Sequence, residues 1–144
     1  MAVAKNYKQC HEKFDEKIRE FARNGEIVPD RSLIKSTKDI LGIKKSAAIN
    51  TGVLDHVAKH IHVGMSTGDI DRLVYDYTVS HGAIPAPLNY EGFPKSVCTS
   101  VNDEVCHGIP DDEIILQEGD IVNVDVSTSF SWLLLRCFAN VYDW

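Results

Sequence analysis

Two stretches decide how this chain is read. They are Tyr90-Glu-Gly-Phe-Pro-Lys-Ser-Val-Cys-Thr-Ser-Val-Asn-Asp-Glu-Val-Cys-His-Gly-Ile-Pro110 and Gly119-Asp-Ile-Val-Asn-Val-Asp125. In the second, Ile121–Val126 is apolar apart from Asn123 and Asp125. Alternation of period 2 predicts a strand with Val122, Val124 and Val126 on one face and Asn123 and Asp125 on the other. A carboxylate buried in such a strand costs on the order of several kcal/mol unless it is paired or binds a metal. Asp125 is therefore a candidate functional group, as is His107, which sits between Val105-Cys106 and the Gly108-Ile109-Pro110 turn. From the residues alone each has a second reading. Asp125 could accept hydrogen bonds within the sheet, and His107 could be a satisfied buried imidazole.

The surrounding chain reads as alternating helices and strands. Asn6–Asn24 has a helical stripe of Phe14, Ile18 and Phe21, stopped by Gly25. Glu26–Arg31, with Pro29, reads as a linker. A longer helix starts at Ser36 and Asp39, a capping-box spacing, and runs to Gly64. Gly42 and Gly52 weaken it unless another helix approaches closely. Ser66 and Asp69 open a third helix, with the stripe Ile70, Leu73, Val74 and Tyr77 and a stop at Gly82. Pro85-Ala86-Pro87 breaks regular structure. Val97–Val101 and Val105–His107 read as a hairpin around Asn102-Asp103-Glu104.

A length of 144 residues suggests one domain with a real core. With 44% hydrophobic and 25% charged residues, no span-length apolar run and no signal-like start, a cytoplasmic protein without a membrane partner is expected. Four irregularly spaced cysteines, Cys10, Cys98, Cys106 and Cys137, argue for free thiols over a disulfide framework. Met1–His60 carries 12 basic and 8 acidic side chains, a net +4, whereas Ile61–Trp144 carries 3 and 13, a net −10. Solvated helix faces are the simplest account of this asymmetry. An acidic half also suits a cleft for divalent cations, and a basic half suits ribosomal RNA.

The segment from about Ile34 to Phe130 resembles type I methionine aminopeptidases, on the strength of Phe93-Pro94-Lys95-Ser96-Val97-Cys98, Asn102 and Val105-Cys106-His107-Gly108-Ile109-Pro110. Proline dipeptidases and creatinases, which share the fold, do not look like this over the same stretch. The resemblance implies one half of a pseudo-twofold pita-bread fold, an α/β arrangement of helices packed on an antiparallel-rich sheet. It implies removal of the initiator methionine from nascent peptides by two divalent metal ions (Co, Mn, Fe or Zn) held by two Asp, one His and two Glu. Asp125 matches the first Asp ligand, and His107 matches a histidine that contacts substrate and stabilises the transition state. Tyr90, Phe93 and Cys98 match the pocket for the methionine side chain, whose thioether packs well on aromatic rings. The partners implied are nascent peptides with an N-terminal Met and the ribosome, with no specific nucleic acid.

Other motifs carry less. His56 and His60 have the spacing of a zinc-binding helix, but Val57 stands where such a motif has its glutamate, so an exposed helix face is expected. His62 is expected to answer the helix dipole. Lys5–His11, with Cys10 and His11, resembles the second half of a small zinc finger. Two ligands cannot close a tetrahedral site, so no zinc finger is expected.

The resemblance stops after Phe130. The second Asp ligand belongs at position 136, where this chain has Arg136, and the later His and Glu ligands have no counterpart before Trp144. Ser131–Trp144 can be encoded so that dropping one base gives His-Gly-Tyr-Phe-Ser-Asp-Ala-Ser-Arg-Met-Phe-Met-Ile-Gly, with the aspartate at position 136. The expectation is a one-base insertion near the Phe130 codon, the alternative a divergent tail forming a short apolar helix or strand. Three segments follow: an extension over 1–31, the first half of the peptidase domain over 32–130, and an aberrant tail over 131–144. Such a chain is expected to be inactive and to aggregate through an apolar sheet face. A non-catalytic ribosome- or protein-binding half-domain is the rival reading. Sequencing the DNA across the codons for Thr128–Trp144 is expected to show one base too many in a T run, with the other frame open.

Overall fold

Valine at 122, 124 and 126 places the sheet's apolar face, and the rest of the core assembles on it. In the computed structural model, residues 2–28, 33–131 and 133–141 are described. The helices are α1 (Ala2–Arg23), α2 (Thr37–His60) and α3 (Thr67–Ser80). The strands are β1 (Ile84–Pro85), β2 (Cys98–Val101), β3 (Val122–Phe130) and β4 (Leu133–Val141). All strand pairings are antiparallel and all involve β3. β4 runs along the whole of β3, from Phe130↔Leu133 to Val122↔Val141. β2 pairs with the first part of β3 and β1 with its end, so these two share the edge opposite β4. Helices packed on an antiparallel sheet are the α/β architecture expected from the sequence.

Val122, Val124 and Val126 are buried against Val53 and Val57 of α2 and Ile70 and Val74 of α3, with Val97 and Leu116 completing the core. Each such side chain, fully buried, contributes about 1.5–3 kcal/mol. Two polar contacts fix α2 on β3. The Ser46 hydroxyl donates to the Thr128 carbonyl at 3.1 Å, and the Thr128 hydroxyl donates to the Asn50 side-chain oxygen. Gly52 has the close helix contact that its position suggested. A Cβ there would collide with the Tyr77 hydroxyl oxygen.

Several expectations need correction. Length suggested one domain, but the chain divides into two units, Met1–Ser36 and Thr37–Trp144. Phe14 and Phe21 of the α1 stripe are 42% and 44% exposed. α1 begins at Ala2 rather than Asn6, because Ala-Val-Ala-Lys contains no helix breaker. The side chains of Cys10 and His11, and Pro29–Arg31 of the linker, lie outside the described residues. α2 stops at His60, short of Gly64. The chain beyond it is taken up by backbone bonds to Leu116, from the Gly64 N–H to the Leu116 carbonyl and from the Leu116 N–H to the Met65 carbonyl, both 2.9 Å.

The hairpin of Val97–Val101 with Val105–His107 does not form. β2 pairs instead with β3, Cys98↔Asp125 through Val101↔Val122. Asn102, at φ 53, explains the choice. Its amide donates to Asp120 at 2.8 Å and its side-chain oxygen accepts from the Ile121 N–H at 3.0 Å, so the turn delivers β2 to β3. The tail is a strand in the described structure. The uncovered sheet face carries Asn123, Asp125 and Ser127, whose register partners on β4 are Asn140, Phe138 and Arg136, with the exposed Leu134 further along the same strand.

The start of α3 follows the sequence closely. Ser66 and Asp69 form a full capping box, and Arg72 bridges Asp69 at 2.7 Å and Asp112 at 2.9 Å. The Arg72 guanidinium, then the Ser66 N–H and hydroxyl, hold the Asp69 carboxyl down to about 2. Its folded value is depressed, so its contribution is full above the ordinary carboxylate range and is lost as pH falls through about 2. Denaturant titrations from pH 5 to pH 2 are expected to show this loss, and Asp69→Asn is expected to flatten it.

Candidate functional site

The uncovered face of β3 is where the candidate residues meet. Antiparallel partners share a face, so Cys98 and Asp125, paired across β2 and β3, present their side chains to the same side. Asp125 is largely sheltered, with 14% of its side chain exposed, and Cys98 is half-buried.

His107 reaches this site on a loop held at both ends. The Thr99 N–H donates to the Gly108 carbonyl at 2.9 Å, and the Gly108 N–H donates to the Ser100 hydroxyl at 3.2 Å. Only glycine fits at 108, because a Cβ there would collide with the Thr99 carbonyl oxygen. The preceding residue, His107, takes a left-handed conformation with φ 59. Beyond Pro110 the loop is tied to the start of α3. The Thr67 hydroxyl donates to the Asp111 carbonyl at 3.0 Å and accepts from the Asp111 N–H at 2.9 Å. His107 itself is exposed, which removes the reading of a satisfied buried imidazole. A 3-10 turn at Tyr90–Gly92, entered through Asn89 at φ 66, brings in Tyr90 and Phe93.

Tyr90, Phe93, Cys98, His107 and Asp125 line one cavity of about 650 Å³, together with Arg136. Sequence reasoning found these residues; it missed Ile109 and Leu134, which extend the apolar wall. It also missed Thr67, Thr99 and Ser100, which hold the loop. Gly108, placed directly after His107, was the available signal of a close backbone approach. His107, Asp125 and Arg136 also border a second, more polar cavity of about 520 Å³ with Asp103, Glu104 and Asn123. Among the described residues, His107 is the histidine that lines these cavities. His56 and His60 lie on α2, which covers the opposite face of the sheet. His56 departs from the exposed face expected of it and packs against Tyr77, ring centroids 5.1 Å apart.

Electrostatics at the cavity floor are set by one pair. The Arg136 Nε lies 3.0 Å from both carboxylate oxygens of Asp125, and its Nη2 also donates to Oδ2. That bond raises the guanidinium further above its ordinary range. Burial pushes the Cys98 thiol up, and the Asp125 carboxylate adds to the shift. The family-implied pair of divalent ions does not fit this donor set. The resemblance implies a ligand role for one carboxylate here, Asp125, and the Arg136 guanidinium already takes both of its oxygens. Among the described residues no three His, Cys, Asp or Glu side chains converge as a metal site.

Residues 42–132 match metallopeptidase family M24. The chain is 51% identical over 85 residues to methionine aminopeptidase 1 of Saccharomyces cerevisiae, covering 59% of this chain and 22% of that protein. It is similar to the crystal structure of methionine aminopeptidase from Rickettsia prowazekii, with TM-score 0.73 and 39% identity over 76% of this chain and 44% of that one. A prolidase from Pyrococcus furiosus, at TM-score 0.63, 16% identity and coverage of 76% of this chain and 31% of that one, shares the fold alone. The chain thus spans less than half the length of each of these relatives.

The setting of Cys98 gives a direct test of the pair. Asp125→Asn removes the carboxylate that raises the thiol and leaves Arg136 beside it. Alkylation of Cys98 by iodoacetamide at pH 8, followed by peptide mass mapping, is expected to be several-fold faster in the variant, and Arg136→Ala is expected to slow it.

Proposed function

The chain belongs to metallopeptidase family M24, and on that footing we propose that its cavity receives the N-terminal methionine of a peptide without cleaving it. The observation that carries this reading is the meeting of Tyr90, Phe93, Cys98 and His107 above an Asp125 already neutralised by Arg136. Aromatic rings and a thiol give a flexible thioether the polarizable surface it packs against. The exposure of His107, on a loop held through Gly108, supports a role for it in hydrogen-bonding the peptide backbone. The parent reaction is metal-dependent hydrolysis of the initiator methionine. This donor set supports no hydrolytic step, because the residue at position 136 brings a guanidinium where the family brings a second carboxylate.

The partners that follow are nascent peptides beginning with methionine. The net +4 of Met1–His60 supports the ribosome as the place of encounter. A cytoplasmic setting belongs to the same proposal; among the described residues no helix is long and apolar enough to cross a membrane.

Incubation with a Met-Ala peptide and Mn2+ or Co2+ is expected to give no free methionine above the metal-only blank. Peptide binding, followed by shifts of the Tyr90 and Cys98 resonances, is expected to persist in a chelator. Arg136→Asp would free Asp125 and add a second carboxylate. Mn2+ is then expected to broaden amide signals around residue 125, which it leaves sharp in the unaltered chain. Turnover at the rate of a full-length aminopeptidase would overturn the reading.

A further inference from the structure

On the side of the sheet away from the cavity, four rings form a row across α2 and α3. The His60 and His56 ring centroids are 4.2 Å apart, His56 and Tyr77 5.1 Å, and Tyr77 and His81 4.0 Å. Partners fix where two of the imidazole protons sit. The His60 Nδ1 lies 2.8 Å from the His56 carbonyl oxygen, and the His81 Nδ1 lies 2.8 Å from the Tyr77 carbonyl oxygen. A carbonyl only accepts, so each Nδ1 carries the proton and each Nε2 keeps its lone pair. His56 is half-buried, and burial, His60, Lys59 and His81 together push its imidazole below the ordinary value of 6.5.

We propose that His56 and His60 form a binding site for a divalent d-block cation of the Cu2+, Ni2+ or Zn2+ type. Four residues apart on a helix, the two side chains lie one turn above the other on the same face. The Nδ1–H of His60 is committed to a backbone carbonyl, the outer-shell bond that metal-ligating histidines usually make, which leaves Nε2 as its ligating nitrogen. Borderline d-block ions bind imidazole through its nitrogen lone pair, whereas Mg2+ and Ca2+ seek oxygen ligands. Two ligands leave the other coordination positions to water, so the ion exchanges readily and Cu2+ binds most tightly of the three. The site is independent of Asp125 and Arg136, which face the other side of the sheet.

The test uses the full chain at pH 7.5, with Zn2+ followed by histidine NMR and Cu2+ by calorimetry. One equivalent of either ion is expected to bind, shifting His56 and His60 signals and leaving those of His107 in place. His56→Gln and His60→Gln are each expected to weaken binding by at least about tenfold. Protons compete with a metal ion for imidazole nitrogen, so lowering the pH is expected to weaken binding. Circular dichroism of His60→Gln, an exposed substitution, separates loss of binding from loss of fold. No saturable binding, undiminished binding in both variants, or loss of binding in His107→Gln would each overturn the proposal.

Discussion

Burial of Val122, Val124 and Val126 against α2 and α3 is the constraint on which the rest of the molecule depends. A strand cannot hide one face without committing the other, because successive side chains point in opposite directions. Once the three valines are fixed, Asn123, Asp125 and Ser127 must face away from the helices. β2 then adds Cys98 to that uncovered face and β4 adds Arg136. A slip of one residue in β3 would expose the valines and drive Asp125 into the core. The same packing that stabilises the fold therefore holds the candidate site in register.

Much of this was legible because it is periodic or local. The alternation of β3, the stripe on α3 and the Ser66–Asp69 cap each depend on residues within a turn or two of one another. The glycine at 52 signalled a close helix contact because little else tolerates one. What could not be read is non-local. Asn102 chooses the partner of β2 through Asp120 and Ile121, groups nearly twenty residues on, and no spacing within Val97–His107 carries that information. The cavity residues were named from a motif resemblance, not from periodicity, since aromatic residues at those positions look like ordinary core.

The Arg136–Asp125 pair gives the site its chemical character. Asp125 is sheltered, so removing Arg136 alone would leave a poorly solvated charge, a loss that commonly costs about 3–5 kcal/mol when the partner is fully buried. Arg136 is 60% exposed and water screens part of that cost, but the guanidinium still gives the carboxylate a geometry that few other cations match. A single side chain thus supplies the counter-charge for a carboxylate held in a sheltered position.

The loop carrying His107 is anchored to Thr67, in the first turn of α3, and Arg72 of that helix reaches across to Asp112 on the same loop. One wall of the cavity is therefore hung from a helix terminus that contributes no side chain to it. Substitutions in that turn would be felt at the mouth of the pocket through the loop, although the turn itself does not line the cavity.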